Sequence, residues 1–226
     1  MARAIRGVIY DCDGLIIDTE VPAFEAWREV FQEHGLDLPL EQWARSIGGS
    51  PDAFDPVLYL ERLVGRPLER DAIRARRRER QLEMLVEEEA FPGILESIAD
   101  AKRLGLRLAV ASSSHRDWVT LHLKRLGILD AFDTVVTADD VTEVKPDPAL
   151  YLLALQCLDL QPDEAIVLED SPNGITAAQA AGIFCVAVPN SLTRHLPIGH
   201  ADLEIQSLAK TPLPHLIEQV ETLRQV

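Results

Sequence analysis

Short apolar, β-branched runs recur along this chain with helical stretches between them, and that repeat limits the possible folds more than any other feature. The runs are Gly7 to Asp11, Leu106 to Ser112, Thr134 to Ala138, Ala165 to Asp170 and Phe184 to Pro189, with a weaker sixth at Asp202 to Ile205. Strands alternating with helices in this way build a parallel sheet from βαβ units. A nearly continuous apolar run such as Ala165-Ile166-Val167-Leu168 fits a strand covered on both faces. Between the runs, Leu150, Leu153, Ala154, Cys157 and Leu158 fall at i, i+3, i+4, i+7 and i+8, and Val119, Leu123 and Leu126 form a second stripe. Gly105, Gly127 and Gly182 sit where such helices should end. Asp147-Pro148 reads as an N-cap and first helical residue, which leaves Lys145 in the loop at the C-terminal end of a strand.

The repeat breaks once. About 95 residues separate the first run from the second, far more than one crossover helix needs. This stretch reads as helical from Glu20 to His34, around Leu40 to Ile47, and through much of Phe54 to Glu89. Phe24, Trp27 and Phe31 share one helical face, so the segment has apolar surface to bury. Phe91-Pro92-Gly93 then restarts the α/β pattern. The expected fold is α/β: a Rossmann-like parallel sheet core from residues 1–19 and 91–226, with an all-helical cap of residues 20–90 inserted after the first strand. A chain of 226 residues buries about 70% of its unfolded surface, so it needs neither disulfides nor a structural metal to be stable.

Charge and cysteine content narrow the function classes. There are 22 basic and 37 acidic residues, for a formal charge of −15. Nucleic-acid binding is disfavoured, because phosphate-backbone affinity comes from a basic surface. Cys12, Cys157 and Cys185 are odd in number and far apart, which fits a reducing cytoplasm and no thiolate metal site. No apolar run reaches membrane-spanning length, and Arg3 and Arg6 precede only Gly7-Val8-Ile9-Tyr10 before Asp11 interrupts, short of a signal segment.

The chemistry is concentrated where the runs end. In Asp11-Cys12-Asp13-Gly14, extended backbone puts the Asp11 and Asp13 side chains on one side, roughly 6.5 Å apart along the chain. Two carboxylates then meet at the C-terminal edge of the sheet, the ligand-binding edge of this architecture. Like charges so close disfavour joint ionisation unless a cation neutralises them, which separates a nucleophile from a general acid. Alone, the same spacing also suits a calcium loop or a plain turn. Glu169-Asp170-Ser171-Pro172-Asn173-Gly174 follows its strand in the same way and brings two more acids, although Asp170 and Ser171 could equally cap the next helix. Oxygen-only ligands of this kind select a hard cation such as Mg²⁺. Ser112-Ser113-Ser114 offers hydroxyls and N–H groups for a phosphate, with Ser114 also a natural N-cap, and Lys145 adds a mobile loop ammonium suited to phosphate charge.

Taken in order, DxDGxxxDT at residues 11–19, the serine turn, Lys145-Pro146-Asp147-Pro148 and Leu168-Glu169-Asp170-Ser171-Pro172-Asn173-Gly174-Ile175 resemble the haloacid dehalogenase superfamily. The resemblance spans essentially the whole chain and points to the phosphatase and β-phosphoglucomutase branch with a helical cap. It implies Asp11 as a nucleophile forming an aspartyl phosphate, and Asp13 as the acid that protonates the leaving oxygen and later activates water. It also implies Mg²⁺ at the Asp11 carboxylate, the Asp13 carbonyl, Asp170 and, directly or through water, Glu169. Ser112, Ser113 and Lys145 would hold the transferring phosphoryl group. Halide displacement is disfavoured, since true dehalogenases lack an aspartate like Asp13. A small phosphorylated metabolite is the implied substrate, touched from the cap by candidates Glu20, Arg45, Gly48 and Gly49.

Other residues admit plainer roles. Cys12 has alternation opposite to its neighbours and packs inward, and His115 suits the surface or a cap. The arginines of Arg74 to Arg80 read as a solvated helix laced by Asp71–Arg74, Arg76–Glu79 and Arg80–Glu83 pairs. A phosphatase is favoured over a mutase because Glu20-Val21-Pro22-Ala23-Phe24 holds no histidine and Gly48-Gly49-Ser50-Pro51-Asp52 nothing basic, leaving Arg45 or the arginine run as the alternative grip on a second phosphate. A receiver-type signalling domain is a poorer match, because its phosphoacceptor lies on an internal strand and it needs no cap.

Overall fold

The computed structural model describes residues 3–43 and 54–225. The chain divides into two compact units, residues 18–88 and residues 1–17 with 89–226.

The first unit is helical: α1 (Glu20–Glu33), α2 (Leu40–Trp43), α3 (Pro56–Val64) and α4 (Arg70–Leu85). The remainder of the expected Leu40 to Ile47 helix, and with it Arg45, Gly48 and Gly49, lies outside the described residues. Along α1, Ala23, Trp27, Val30 and Phe31 form the buried stripe, while Phe24 is half-buried beside the Trp43 ring. Asp55 caps α3 by accepting from the Val57 and Leu58 N–H groups at 2.9 and 3.3 Å, and Pro56 occupies the first turn, where no N–H is missed.

The α4 arginines are paired, but mostly not along their own helix. Arg80–Glu83 forms at 2.9 Å as expected. Arg74 and Arg76 instead reach Asp55 and Glu33 at 2.5 Å each, Arg70 reaches Glu61 at 2.7 Å, and Arg80 also reaches Glu29 at 2.9 Å. Neighbouring helices offer acids at better distance than the i+3 positions do. Such exposed pairs are screened by solvent and add little to stability.

The second unit carries a six-stranded parallel sheet: β1 (Gly7–Tyr10), β2 (Arg107–Ala111), β3 (Thr134–Val136), β4 (Ala165–Glu169), β5 (Phe184–Ala187) and β6 (Leu203–Glu204). Its helices are α5 (Ile94–Arg103), α6 (Arg116–Arg125), α7 (Ala149–Leu158), α8 (Pro172–Ala180) and α9 (Leu213–Leu223). All six expected strands are present, each trimmed by one or more residues at its ends. The order is β3-β2-β1-β4-β5-β6, so β1 pairs with β2 on one side and β4 on the other, with Gly7 opposite both Arg107 and Ala165. The strand order reverses at β1, and such a switch point opens a crevice beyond the strand C-termini.

Alternation sorts the core into two layers. Val8, Tyr10, Leu108, Val110, Ile166 and Leu168 pack on one face with α5, α6 and α9; Cys12 joins them, buried. Ile9, Ala109, Ala111, Val167 and Cys185 pack on the other face with α7 and α8. Helix α7 starts one residue later than the Asp147-Pro148 signal suggests, at Ala149. Asp147 still accepts the Ala149 N–H at 2.9 Å, because the proline supplies a turn without needing a donor.

His122 is a buried member of α6, and neither ring nitrogen has a hydrogen-bond partner. Burial lowers its pKa, against the opposing charge of Asp13. The unfolded chain therefore takes up a proton near the ordinary histidine value of about 6.5 that the folded chain resists, so stability should fall as pH drops below that value. Thermal melts of wild type and His122→Leu between neutral pH and about pH 5 test this: the wild-type melting temperature should fall more steeply. Parallel decline would disprove the assignment.

Candidate active site

The crevice at the end of β1 is lined by loops from five strands. Asp11 continues the ladder, with its N–H on the Leu168 carbonyl at 3.0 Å, and its carboxylate turns into a buried cluster with Lys145, Glu169 and Asp170. Lys145 Nζ donates to Asp11 Oδ1 and to Glu169 Oε1, the latter at 2.7 Å, and lies 4.9 Å from the centre of the Tyr151 ring. The expected mobile loop ammonium is thus a buried, fixed charge. Its loop is pinned by α7, whose Tyr151 hydroxyl also donates to Glu169 Oε1 at 2.9 Å.

Glu169 is saturated. Its Oε2 accepts from the Asp170 and Ser171 N–H groups at 2.9 Å each and from Ser171 Oγ at 3.1 Å. A β-carbon on Gly174, in the first turn of α8, would stand 1.6 Å from Glu169 Oε1, so only glycine leaves the carboxylate its place. Ser171 does cap α8, accepting from Gly174 N–H at 3.2 Å. Asp170 Oδ2 accepts from Asn190 Nδ2 at 2.8 Å, and the same amide donates to the Gly14 carbonyl at 3.0 Å. Gly14 has φ +84°, and a β-carbon there would lie 2.3 Å from Asp170 Oδ2. Both the left-handed backbone and the close approach require glycine.

Asp13 stands at the other side of Asp11's loop, and its carboxylate is ringed by donors: Ser112 Oγ at 3.2 Å, Ser114 Oγ at 2.7 Å and Trp118 Nε1 at 2.8 Å. Ser114 does not cap α6, which begins at Arg116 with His115 in the cap position. Ser114 stands one residue before the cap position, and its hydroxyl donates to Asp13. Ser113 is exposed and adds no side-chain bond to the cluster, and His115 is exposed with its ring on Asp139 at 2.7 Å. Glu20 opens α1 in the helical unit. The sequence reading missed Trp118, Tyr151 and Asn190. Asn190 had a signal, since it follows the fifth strand as the acids follow the first and fourth.

Burial pushes the Asp11 carboxyl up to about 7; Lys145 opposes the rise, and Glu169 and Asp13 add to it. Burial works against the Lys145 charge too, but the Asp11 and Glu169 carboxylates more than offset it and hold the ammonium protonated. Three acids against one lysine leave net negative charge in a buried space, and carboxylate oxygens of Asp11, Glu169 and Asp170 lie within 4.8 Å of one another. A hard divalent cation fits this donor set, all oxygen and anionic.

A parallel sheet whose switch point gathers three acids around one buried lysine, with a fourth acid beside them, is the framework of a phosphoryl-transfer enzyme of the Rossmann-like class. The chain belongs to the haloacid dehalogenase-like hydrolase family, whose model matches residues 8–188, and is an enzyme of its phosphatase and β-phosphoglucomutase branch. It is 43% identical to Bacillus subtilis YhcW, provisionally designated a phosphatase, over 96% of this chain and 99% of that one. It is 35% identical to the phosphorylated carbohydrates phosphatase of Thermotoga maritima, over 79% of this chain and 82% of that one. Among solved structures, CbbY from Rhodobacter sphaeroides in complex with phosphate superposes with a TM-score of 0.73 at 32% identity, covering 92% of this chain and 96% of that one. Among the described residues no helix is long and apolar enough to cross a membrane.

Proposed function

We propose that the protein is a Mg²⁺-dependent phosphomonoesterase acting on a small phosphorylated sugar through an aspartyl phosphate on Asp11, with the helical unit as a cap. The observation that carries this reading is the buried contact of Asp11 with Lys145, in a cluster with Glu169 and Asp170, one loop away from the hydrogen-bonded Asp13. The Thermotoga relative's name supports the sugar-phosphate class.

Asp11, Asp170 and the Asp13 carbonyl would hold the cation, with Glu169 reaching it through water because its own oxygens are already committed. When bound, the cation supplies positive charge against the phosphate dianion and the clustered carboxylates. Lys145 fixes the Asp11 carboxylate for in-line attack and shares the charge spreading over the phosphoryl oxygens, with Ser112 and Ser113 as further donors. As the P–O bond breaks, its electron pair leaves with the substrate oxygen, which takes the proton of Asp13. Asp13 then accepts a proton from the water that attacks the aspartyl phosphate. The three cysteines, all unpaired, fit a reducing cytoplasm.

A phosphosugar mutase is the second reading, favoured by the branch of the family. It needs a fixed cation for a second phosphate, and Arg70, Arg74, Arg76 and Arg80 are already engaged by acids within the helical unit. The test is incubation with β-glucose 1-phosphate and a trace of the 1,6-bisphosphate. Inorganic phosphate should be the main product, and glucose 6-phosphate accumulating much faster than phosphate would reverse the assignment. Sustained turnover of an aryl phosphate with Mg²⁺ separates both enzymes from a stoichiometrically labelled signalling domain.

A further inference from the structure

The two oxygens of the Asp13 carboxyl group have different neighbours. Oδ2 faces two hydroxyls, Ser112 Oγ and Ser114 Oγ. Oδ1 faces the indole N–H of Trp118 at 2.8 Å. A hydroxyl can turn to donate or to accept, whereas an indole N–H only donates. A carbonyl oxygen is the better acceptor, so that contact favours Oδ1 as the carbonyl oxygen and Oδ2 as the one that carries a proton.

The indole is held by the helix, not by a loop. Trp118 and His122 lie one turn apart on α6 and meet edge to face, with ring centroids 4.4 Å apart and planes at 74°. Val119 and Leu123 of the same helix are fully buried in the core. The donor thus comes from a packed element, while Asp13 sits in the loop after β1, where backbone geometry alone fixes its carboxyl less firmly.

We propose that Trp118 is a positioning residue that orients the Asp13 carboxyl group, so that Oδ2 is the oxygen that exchanges a proton with the leaving group. This rests on the reading of Asp13 as the acid. The proton passes from Oδ2 to the leaving oxygen as that oxygen receives the electron pair of the P–O bond. The carboxylate left behind keeps the indole N–H on Oδ1 and the two serine hydroxyls on Oδ2. Trp118 then does two things at once: it orients the acid and stabilises the anion the acid becomes.

Trp118→Phe keeps an aromatic ring beside His122 and removes the N–H, together with part of the indole's volume. The probes are 4-nitrophenyl phosphate, whose leaving oxygen needs no proton, and phenyl phosphate, whose more basic oxygen does. The readout is kcat/KM, which covers steps up to phosphoenzyme formation. Asp13→Asn serves as the reference, with a much larger loss on phenyl than on 4-nitrophenyl phosphate. Trp118→Phe should show the same pattern at smaller amplitude: a roughly tenfold loss on phenyl phosphate, in the range for one hydrogen bond to a charged group, and little change on the nitrophenyl ester. Equal losses on both esters, or none on either, overturn the proposal and leave the acid role of Asp13 standing. A reference variant without leaving-group dependence removes the acid role and the proposal with it. Should Trp118→Phe fail to fold, the indole N–H proton resonance of the intact protein decides: it should move upfield in Asp13→Ala, and an unmoved resonance overturns the proposal.

Discussion

Asp11→Asn should abolish turnover and leave the protein folded. The substitution removes the oxygen proposed to attack phosphorus but not the shape, since asparagine matches aspartate in size and the side chain is packed among Lys145, Glu169 and Asp170 at 6% exposure. Loss of a nucleophile costs on the order of 10³-fold or more in rate. Stability should hold or rise slightly. Burial penalises the charged form of Asp11 and pushes its carboxyl up to about 7, a penalty the neutral amide escapes, and Lys145 retains Glu169 as its partner at 2.7 Å. Aryl phosphate turnover and a thermal melt check both halves. More than a few per cent of activity, once mass spectrometry excludes deamidation back to aspartate, would remove Asp11 from the chemistry.

Chelation should be nearly as severe. Asp11, Asp13, Glu169 and Asp170 gather at the strand ends, and the buried Lys145 ammonium already serves Asp11 and Glu169. A phosphate dianion approaching such a cluster is repelled unless further positive charge is present. EDTA should therefore remove activity, Mg²⁺ should restore it, and Ca²⁺ should do so poorly because it prefers more ligands at longer distance. A second readout needs no turnover: saturating Mg²⁺ should raise the melting temperature, by linkage worth about 2.7 kcal/mol at a hundred times the dissociation constant. Asp170→Asn should lose most of that rise. Full activity in chelator, or a melting temperature indifferent to Mg²⁺, would show that the acids serve another purpose.

The parts of this molecule that were legible beforehand are those governed by local pattern. The strands announced themselves because both faces of the sheet are covered, which leaves runs such as Ala165 to Leu168 without a polar residue. The acids were legible because each follows a strand end, where alternation and sheet direction fix the destination of a side chain. The burial of Lys145 was not, since it depends on Tyr151, a residue inside an otherwise ordinary apolar helix stripe. Trp118 was hidden for a similar reason: an aromatic on an amphipathic helix reads as core, and its N–H acquires a partner only when α6 docks beside the β1 loop. The arginines of α4 chose acids on other helices, a choice that intrahelical spacing cannot encode. Ser114 shows the limit of local reading, because the helix starts one residue later than a serine cap needs and its hydroxyl donates to Asp13 instead.

Gly174 shows how the needs of a buried carboxylate can masquerade as ordinary turn chemistry. Pro172-Asn173-Gly174 looks like ordinary turn chemistry, and alanine is the better helix former there by up to about 1 kcal/mol. Yet the missing methyl is the space in which Glu169 Oε1 sits. A side chain at position 174 is therefore compatible only with a shorter or displaced one at position 169. The coupling runs one way: the acid can shrink with the glycine in place, but the glycine cannot grow with the acid in place.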